Sequence, residues 1–337
     1  MLDLRAALSN STLIHPPGFY IVGLSSMAYA NVYLIFLGVV YVLTIVINCF
    51  LLSLIWLNHK LHTPKFLAVA NLAVVDTLVS SCIIPSMLKF FLFRDSFVQF
   101  DLCFVQMGVY YCCTSLESFS LAVLAYDRLI AICFPLRQHA INTNTNMLCI
   151  LGSIWALLIA CFVFACLIMT RLSFCDSVEV FSFFCDYTPV YKLACNDFSL
   201  QWTTAVSLSL TIILGPLTFI IISYASILIA VFKIKIAGNR YKALATCSEH
   251  LILVAIFFIP KLSLYVLGFL FYRLDMDMRL VTLSMSTCMP PCLNPVVYAL
   301  KTKEIRSKAQ MLFCKTKVRQ WGKIVALHSK QMESVHT

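Results

Sequence analysis

The chain has 337 residues, of which 61% are hydrophobic and only 12% are charged. A soluble globular domain carries about 25% charged residues, so one water-soluble core cannot hide this much apolar surface, and the composition indicates an integral membrane protein. The formal net charge of +10 also occurs in nucleic-acid-binding proteins, but its distribution along the chain, described below, excludes that class.

The chain begins with a polar tail, residues 1–30, that is expected to lie outside the cell. Its mixture of charged residues and prolines is unlike a cleaved signal peptide, so the first apolar segment is expected to direct membrane insertion. Asn10 opens an Asn-Ser-Thr acceptor sequence for N-glycosylation, and this modification requires the predicted outer location.

Seven apolar segments follow, each long enough to cross a bilayer and bounded by charged or turn-rich stretches. They are predicted at 31–57, 66–91, 102–133, 147–170, 200–232, 244–271 and 278–300. The pattern predicts an all-α membrane protein, with a seven-transmembrane helix bundle over residues 31–300. Because the number of segments is odd, the two termini are expected on opposite sides of the membrane.

The basic residues predict the orientation of the bundle. With the N-terminus outside, 17 of the 25 lysines and arginines lie on the inner side and 7 on the outer side, while Lys261 lies within a segment. The acids run the other way, with 9 outside and 4 inside. The sequence therefore predicts a multi-pass plasma-membrane protein with an extracellular N-terminus, a cytoplasmic C-terminus and an inner surface that contacts lipid.

Ionisable residues at membrane depth need polar partners. Asp76 and Glu117 are both placed near mid-depth, where Asn48, Asn71 and Asn294 also fall. One interpretation is a cluster that holds a cation or water and changes protonation on activation. The other is a static hydrogen-bonded network, and the sequence favours neither.

Four cysteines are expected on the outer side of the membrane, where disulfides form. Cys175, Cys185 and Cys195 lie in the loop over residues 171–199, and Cys103 begins the third segment. Four cysteines predict two disulfides but allow three connectivities.

A short amphipathic helix is predicted after the seventh segment, over residues 301–314, because basic residues are mixed with apolar ones there. Such a helix lies on an anionic inner leaflet. Cys314 at its end is either palmitoylated or a free thiol. Residues 315–337 are polar and are predicted to form a disordered cytoplasmic tail.

Five motifs give the sequence a family resemblance. In chain order they are His62 to Leu72, Leu124 to Cys133, Ser223-Tyr224, Lys242 to His250 and Pro291 to Tyr298. Over about residues 20–313 the chain resembles the olfactory receptors, a family of rhodopsin-like G-protein-coupled receptors. It departs from the family pattern at Lys65, Leu129 and Ile259, which indicates a divergent or non-mammalian subgroup.

The resemblance implies a receptor that binds a small odorant and activates a heterotrimeric G protein of the adenylyl-cyclase-stimulating type. Asp127 and Arg128 are expected to pair at rest, and ligand binding would then release Arg128 toward the G protein. The residues implied in coupling and switching are Asp127, Arg128, Tyr224, Lys242, His250, Asn294, Pro295 and Tyr298. The implied disulfides are Cys103–Cys185 and Cys175–Cys195.

The ligand is expected in the outer half of the third, fifth, sixth and seventh helices. The candidate ligand residues are Tyr110, Tyr111, Thr114, Ser115, Ser118, Phe258, Lys261, Leu262, Tyr265, Ser284 and Thr287. Lys261 has two interpretations, since a lysine at membrane depth is costly. It either supplies the counter-charge for an acidic ligand or extends its ammonium to the outer vestibule, and the second interpretation is preferred.

Other classes of protein fit the sequence less well. A non-olfactory receptor for another small ligand is the main alternative, although Tyr110 stands where an aminergic receptor would need an acid. A transporter should show internal repeats, and none is found. Enzyme motifs such as a phosphate loop or a nucleophile elbow are missing from the sequence, so we expect neither catalysis nor a metal or cofactor.

Overall fold

The structure is a computed structural model that describes residues 14–23, 30–93, 95–233, 237–270 and 276–301. Seven long helices run through these ranges. They are α1 (Ala30–Leu57), α2 (Pro64–Phe93), α3 (Phe100–Cys133), α4 (Asn144–Met169), α5 (Ser199–Phe232), α6 (Ala237–Leu270) and α7 (Met276–Lys301). Each predicted apolar segment overlaps one of these helices, so the predicted seven-helix bundle is confirmed.

The outer faces of the helices are apolar. Within the described residues, α1, α2, α4 and α5 contain spans that are long and apolar enough to cross a membrane, with mean hydropathies from 2.0 to 2.7. Large apolar side chains such as Val32, Leu157 and Ile221 are at least 60% exposed. Because such helices pair all of their backbone groups internally, these faces are suited to contact with lipid.

The centre of the bundle is occupied by α3, which packs against α2, α4, α5 and α6. Its polar residues are buried by these neighbours, and Glu117, Ser118 and Asp127 are each less than 5% exposed. The bundle is closed by α7, which packs against α6, α1 and α2. Polar side chains on α3 therefore face protein, which explains why this helix tolerates more of them than its apolar neighbours do.

One end of the bundle, which we call the disulfide end, carries both disulfides. Cys103 at the start of α3 is bonded to Cys185, and Cys175 is bonded to Cys195 within the loop that connects α4 to α5. This is the pairing that the family resemblance implies. The Cys185 backbone N–H also donates to Gln106 Oε1 at 3.3 Å, so the α4–α5 loop is fixed onto α3 by a covalent bond and a hydrogen bond. We call the other end of the bundle the Asp127 end.

A small sheet at the disulfide end was not expected from the sequence. Its strands are β1 (Gly18–Ile21), β2 (Phe97–Gln99) and β3 (Glu179–Val180), in the order β2-β1-β3, with β1 antiparallel to β2 and parallel to β3. A Cβ at Gly18 would overlap the carbonyl oxygen of Val98, so this close pairing requires glycine. The predicted polar tail therefore contains an ordered strand that packs on the α4–α5 loop.

Besides the 3-10 helix His59–Leu61 between α1 and α2, two short α-helices were also not predicted from the sequence. One, Gln138–Ile141, lies between α3 and α4, and the other, Tyr187–Tyr191, lies in the α4–α5 loop. Several predictions fall outside the described residues, namely glycosylation at Asn10, the amphipathic helix beyond Lys301, palmitoylation at Cys314 and the tail over 315–337. The side chains of Lys242 and Tyr265 also lie outside the described part of the chain.

Candidate functional site

A cavity of about 620 Å³ opens between α3, α5, α6 and α7, next to the α4–α5 loop. Six of the candidate ligand residues line it: Tyr110, Tyr111, Thr114, Ser115, Ser118 and Lys261. Five of these lie on α3, whose central position turns this stretch toward the cavity. Ligand pockets in proteins commonly enclose about 300–1,000 Å³, so the cavity has the size of a small-molecule site.

The cavity-facing side of α6 differs by one residue from the predicted side. The sequence placed Phe258 and Leu262 beside Lys261, whereas the structure lines the cavity with Phe257, Lys261 and Leu264. Phe258 and Leu262 instead pack in or against the apolar core nearer the Asp127 end. The helical period alone allows both faces, because Lys261 belongs to either one.

On α7 the two predicted hydroxyl residues hold helices together and do not line the cavity. The Ser284 hydroxyl donates to the Leu280 carbonyl at 2.7 Å and accepts from the Tyr33 hydroxyl of α1. The Thr287 hydroxyl donates to the Leu283 carbonyl and accepts from Tyr110 at 3.1 Å. The residues of α7 that line the cavity are Arg279, Leu283 and Ser286.

Sequence reasoning missed two groups of cavity residues. The α4–α5 loop contributes Asp186, Thr188 and Tyr191. The other group, on α5, comprises Ala205, Val206, Ser209, Leu210, Ile212 and Ile213. The cysteine spacing was the only signal for the loop, since the Cys103–Cys185 bond brings the neighbouring Asp186 to the cavity. The fifth helix was expected at the ligand site, but none of its residues was predicted there, because apolar and hydroxyl residues are mixed along that segment.

Asp186 is the acidic group of the cavity wall. It is 4% exposed and accepts a hydrogen bond from the Tyr111 hydroxyl. Burial raises the pKa of the Asp186 carboxyl above its usual value, while the Tyr111 hydrogen bond and the positive charge of Arg279 oppose that shift. Asp186 is thus held by α3 and lies near the cation on α7.

Lys261 is turned into the bundle. Its Nζ donates to the Ser286 carbonyl at 3.2 Å and lies 3.8 Å from the centre of the Phe257 ring. The preferred sequence interpretation, an ammonium extended to the outer vestibule, is therefore wrong. The carbonyl of α7 and the aromatic face of α6 both attract a cation, and together they hold the ammonium at the cavity wall.

The predicted polar cluster connects several helices at mid-depth. Asn294 Nδ2 lies 3.1 Å from each carboxylate oxygen of Asp76, and Asn48 Nδ2 donates to the Pro291 carbonyl at 3.0 Å. Glu117 is close enough to Asp76 to interact with it electrostatically. The bonds join α1, α2 and α7 through buried atoms, and both interpretations of the cluster include them.

At the Asp127 end, the expected resting ion pair between Asp127 and Arg128 is not formed. Asp127 instead accepts a hydrogen bond at 2.8 Å from Asn142, which follows the short helix Gln138–Ile141. Among the residues that the structure describes, no carboxylate oxygen lies within 4 Å of Arg128. Successive residues point about 100° apart on a helix, so the loop before α4 reaches Asp127 without reaching Arg128.

Arg128 faces the ends of α5, α6 and α7. Its charge acts on Tyr224, His250 and Tyr298, which come from these three helices. Tyr298 is 7% exposed and lies one turn beyond Pro295 on α7. Five of the predicted coupling residues are therefore brought to one end of the bundle, while Asn294 belongs to the mid-depth cluster.

Tyr224 and His250 form a buried junction between α5 and α6. His250 Nε2 lies 2.9 Å from the Leu121 carbonyl of α3, and Nδ1 lies 2.8 Å from the Tyr224 hydroxyl. Because a carbonyl only accepts, Nε2 carries a proton, and in the neutral ring Nδ1 accepts from Tyr224. One imidazole thus connects three helices.

Replacing Tyr224 by phenylalanine is expected to lower the free energy of unfolding by about 1–3 kcal/mol, because a buried imidazole nitrogen loses its donor. Thermal unfolding of the purified protein in detergent measures this loss. Tyr241→Phe is the matched control, since Tyr241 is 76% exposed. Equal unfolding temperatures for Tyr224→Phe and the control would show that the junction contributes nothing to stability.

The chain is similar in sequence to a known protein family over most of its length. The family model described as olfactory receptor matches residues 37–316. Mouse olfactory receptor 5H19 is 34% identical over 304 residues, which cover 88% of this chain and 95% of the relative. Human olfactory receptor 5P3 is 36% identical over 299 residues, which cover 86% of this chain and 92% of the relative.

Human olfactory receptor 1L4 is 33% identical over 291 residues, covering 86% of this chain and 93% of the relative. The family model extends from within α1 past the end of α7, so it includes the cavity and the Asp127 end. With its apolar helices, the chain is a multi-pass membrane protein of a family that takes small-molecule ligands and G proteins as partners. The chain belongs to the olfactory receptor family of G-protein-coupled receptors.

Proposed function

We propose that this receptor binds a small organic ligand in the cavity between α3, α5, α6 and α7 and activates a G protein at the Asp127 end. The observation that carries the proposal is that α3 takes part in both sites, through Tyr111 at the cavity and Arg128 near the other end. A change in how α3 packs against α6 therefore affects both places. The proposed G protein is of the adenylyl-cyclase-stimulating type.

The proposed orientation puts the disulfide end outside the cell and the C-terminus in the cytoplasm. Disulfides persist in oxidising compartments, so Cys103–Cys185 and Cys175–Cys195 support an extracellular disulfide end. The strand β1 pairs with β2 and β3 at the same end, which supports an extracellular N-terminal tail over 1–30. Within this proposal, residues 301–314 form an inner amphipathic helix and 315–337 a cytoplasmic tail.

Activation is proposed as a population shift between two arrangements of the bundle. A ligand in the cavity contacts Lys261 and Phe257 on α6 and the facing residues of α3, so it favours one packing of these helices over the other. Further along the same helices, His250 connects α6 to α3 and α5. Movement of α6 would break this junction and give the G protein access to Arg128.

The proposal predicts that Arg128→Ala abolishes signalling. Cells that express the receptor with an olfactory-type G protein are challenged with a panel of small acids, alcohols, aldehydes and amines, and cyclic AMP is measured. We expect a dose-dependent rise for the unmodified chain and at least a tenfold smaller response for Arg128→Ala, because the cation of the coupling surface is lost.

Two controls make this result specific. Surface expression of each variant is measured on intact cells, so that a loss of signal is not a loss of protein. Arg171→Ala removes an exposed arginine at the disulfide end and is expected to leave the response unchanged. A full cyclic AMP response from Arg128→Ala at normal surface expression would contradict the proposed role of the Asp127 end.

A further inference from the structure

We propose that the cavity selects ligands that carry a carboxylate, and that Lys261 binds this group. The inference rests on the proposed function of the cavity and specifies the class of ligand. Lys261 is a cation in a wall that otherwise consists of apolar, aromatic and hydroxyl side chains, apart from Asp186 and Arg279 near the loop. Such a cation is costly in the low-dielectric interior of a bundle unless it meets an opposite charge.

The surroundings of Lys261 leave its ammonium available to a ligand. An ammonium has three N–H donors, and one of them is directed at the Ser286 carbonyl at 3.2 Å. The ring of Phe257 covers another side at 3.8 Å. Both partners are neutral, and among the described residues no carboxylate oxygen lies within 4 Å of Nζ. The remaining donor is free to meet an anion from the cavity, because Lys261 is part of its wall.

Glu117 is the acidic side chain within the bundle that competes with a ligand carboxylate for the charge of Lys261. It interacts electrostatically with Lys261, which helps to keep the ammonium inside the bundle. However, Glu117 does not line the cavity, it is 1% exposed, and it also faces the charge of Asp76. Its attraction therefore acts over a distance and occupies none of the hydrogen-bond donors of Lys261.

Asp186, the other carboxylate near the cavity, is already engaged by the Tyr111 hydroxyl and by the charge of Arg279. Arg279 is exposed and lines the cavity close to the loop. A cation at this position raises the local concentration of anionic ligands and speeds their entry. Arg279 thus adds a second positive charge to the cavity wall, and Lys261 supplies the ammonium that binds the anion.

The rest of the wall fits an apolar tail. Val206, Leu210 and Ile213 of α5 also line the cavity. Its volume of about 620 Å³ accommodates a medium-length chain or one aromatic ring. The ligand class that this arrangement fits is a monocarboxylate with an alkyl or aryl tail.

The test compares ligands that differ only in their polar group. Hexanoate, octanoate and benzoate are paired with 1-hexanol, 1-octanol and benzyl alcohol, and their binding to the purified full-length chain is measured from ligand-induced shifts in thermal unfolding. In the unmodified chain each acid is expected to bind about 10-fold or more tightly than its alcohol, because charge-assisted hydrogen bonds are the stronger kind.

Variants of Lys261 test whether this residue causes the preference for acids over alcohols. Lys261→Met and Lys261→Gln are expected to weaken acid binding by about 10- to 100-fold while alcohol binding changes less than threefold. Lys261→Arg retains the charge and is expected to keep the preference for acids. Lys192→Met, which removes an exposed lysine at the disulfide end, is the matched control and is expected to bind acids normally.

Equal binding of acids and alcohols by the unmodified chain would overturn the proposal without any variant. Equal weakening of both classes by Lys261→Gln would also overturn it and would leave Lys261 as the internal counter-charge of Glu117. Binding and signalling are separate readouts. Acid-selective binding that requires Lys261 but produces no cyclic AMP would support the carboxylate site and contradict the proposed G protein.

Discussion

Cells that express Cys103→Ser are expected to display almost no folded receptor at their surface. The disulfide to Cys185 spans 82 residues of sequence, and loss of a native disulfide costs about 2–5 kcal/mol. Both cysteines are fully buried, so the hydroxyl of the introduced serine would also be buried without water to hydrogen-bond it. The bond holds the α4–α5 loop on α3, and that loop carries β3 and the cavity residue Asp186. Its loss therefore disorders the sheet and the cavity wall together.

Removal of the second disulfide is expected to destabilise the protein less than removal of the first. Cys175–Cys195 spans only 20 residues, so chain entropy predicts that Cys195→Ser destabilises the protein by about 1 kcal/mol less than Cys103→Ser. Cys149→Ser is the control, since Cys149 is free and exposed. Surface staining of intact cells and thermal unfolding measure the order of the three variants. Surface levels for Cys103→Ser equal to those for Cys149→Ser would contradict the proposed role of the disulfide.

The positions of the seven helices could be predicted from the sequence, because crossing a membrane requires about 20 apolar residues in a row. The predicted segment 102–133 and the observed α3 differ by two residues at one end. The strand β1 could not be predicted, because its four residues have no alternating pattern. It forms through backbone pairing with two segments that are distant from it in sequence.

The faces of the helices were harder to predict than their positions. In a soluble helix the polar face marks the water side, but in a membrane helix the outer face is apolar and so is much of the interior. On α6 this allowed Phe258 to be chosen in place of Phe257, one residue away. The contacts of Lys261 were equally hard to predict. The sequence shows that a costly cation is present, but its contacts with Ser286 and Phe257 depend on how α6 and α7 pack together.

Replacing Asn294 by leucine is expected to produce the second large loss of stability. Asp76 is fully buried, and the Asn294 amide lies within 3.1 Å of both of its carboxylate oxygens. Leucine fills a similar volume but offers no donor. Leaving the buried Asp76 carboxyl without this donor costs about 1–3 kcal/mol, and the loss is concentrated where α2 meets α7. Thermal unfolding and surface expression of Asn294→Leu measure the effect.

Exchanging the two side chains separates the hydrogen bond from the packing. In the double variant with Asp76→Asn and Asn294→Asp, an amide again faces a carboxylate across the same gap, so we expect the double variant to be more stable than Asn294→Leu. The effects of substitutions at neighbouring residues on stability are not additive. A double-mutant cycle with the single variants Asp76→Asn and Asn294→Asp therefore gives the coupling energy of the pair. A coupling energy near zero would show that the bond does not hold α2 to α7. A large coupling energy would show that this pair is a principal contact between α2 and α7.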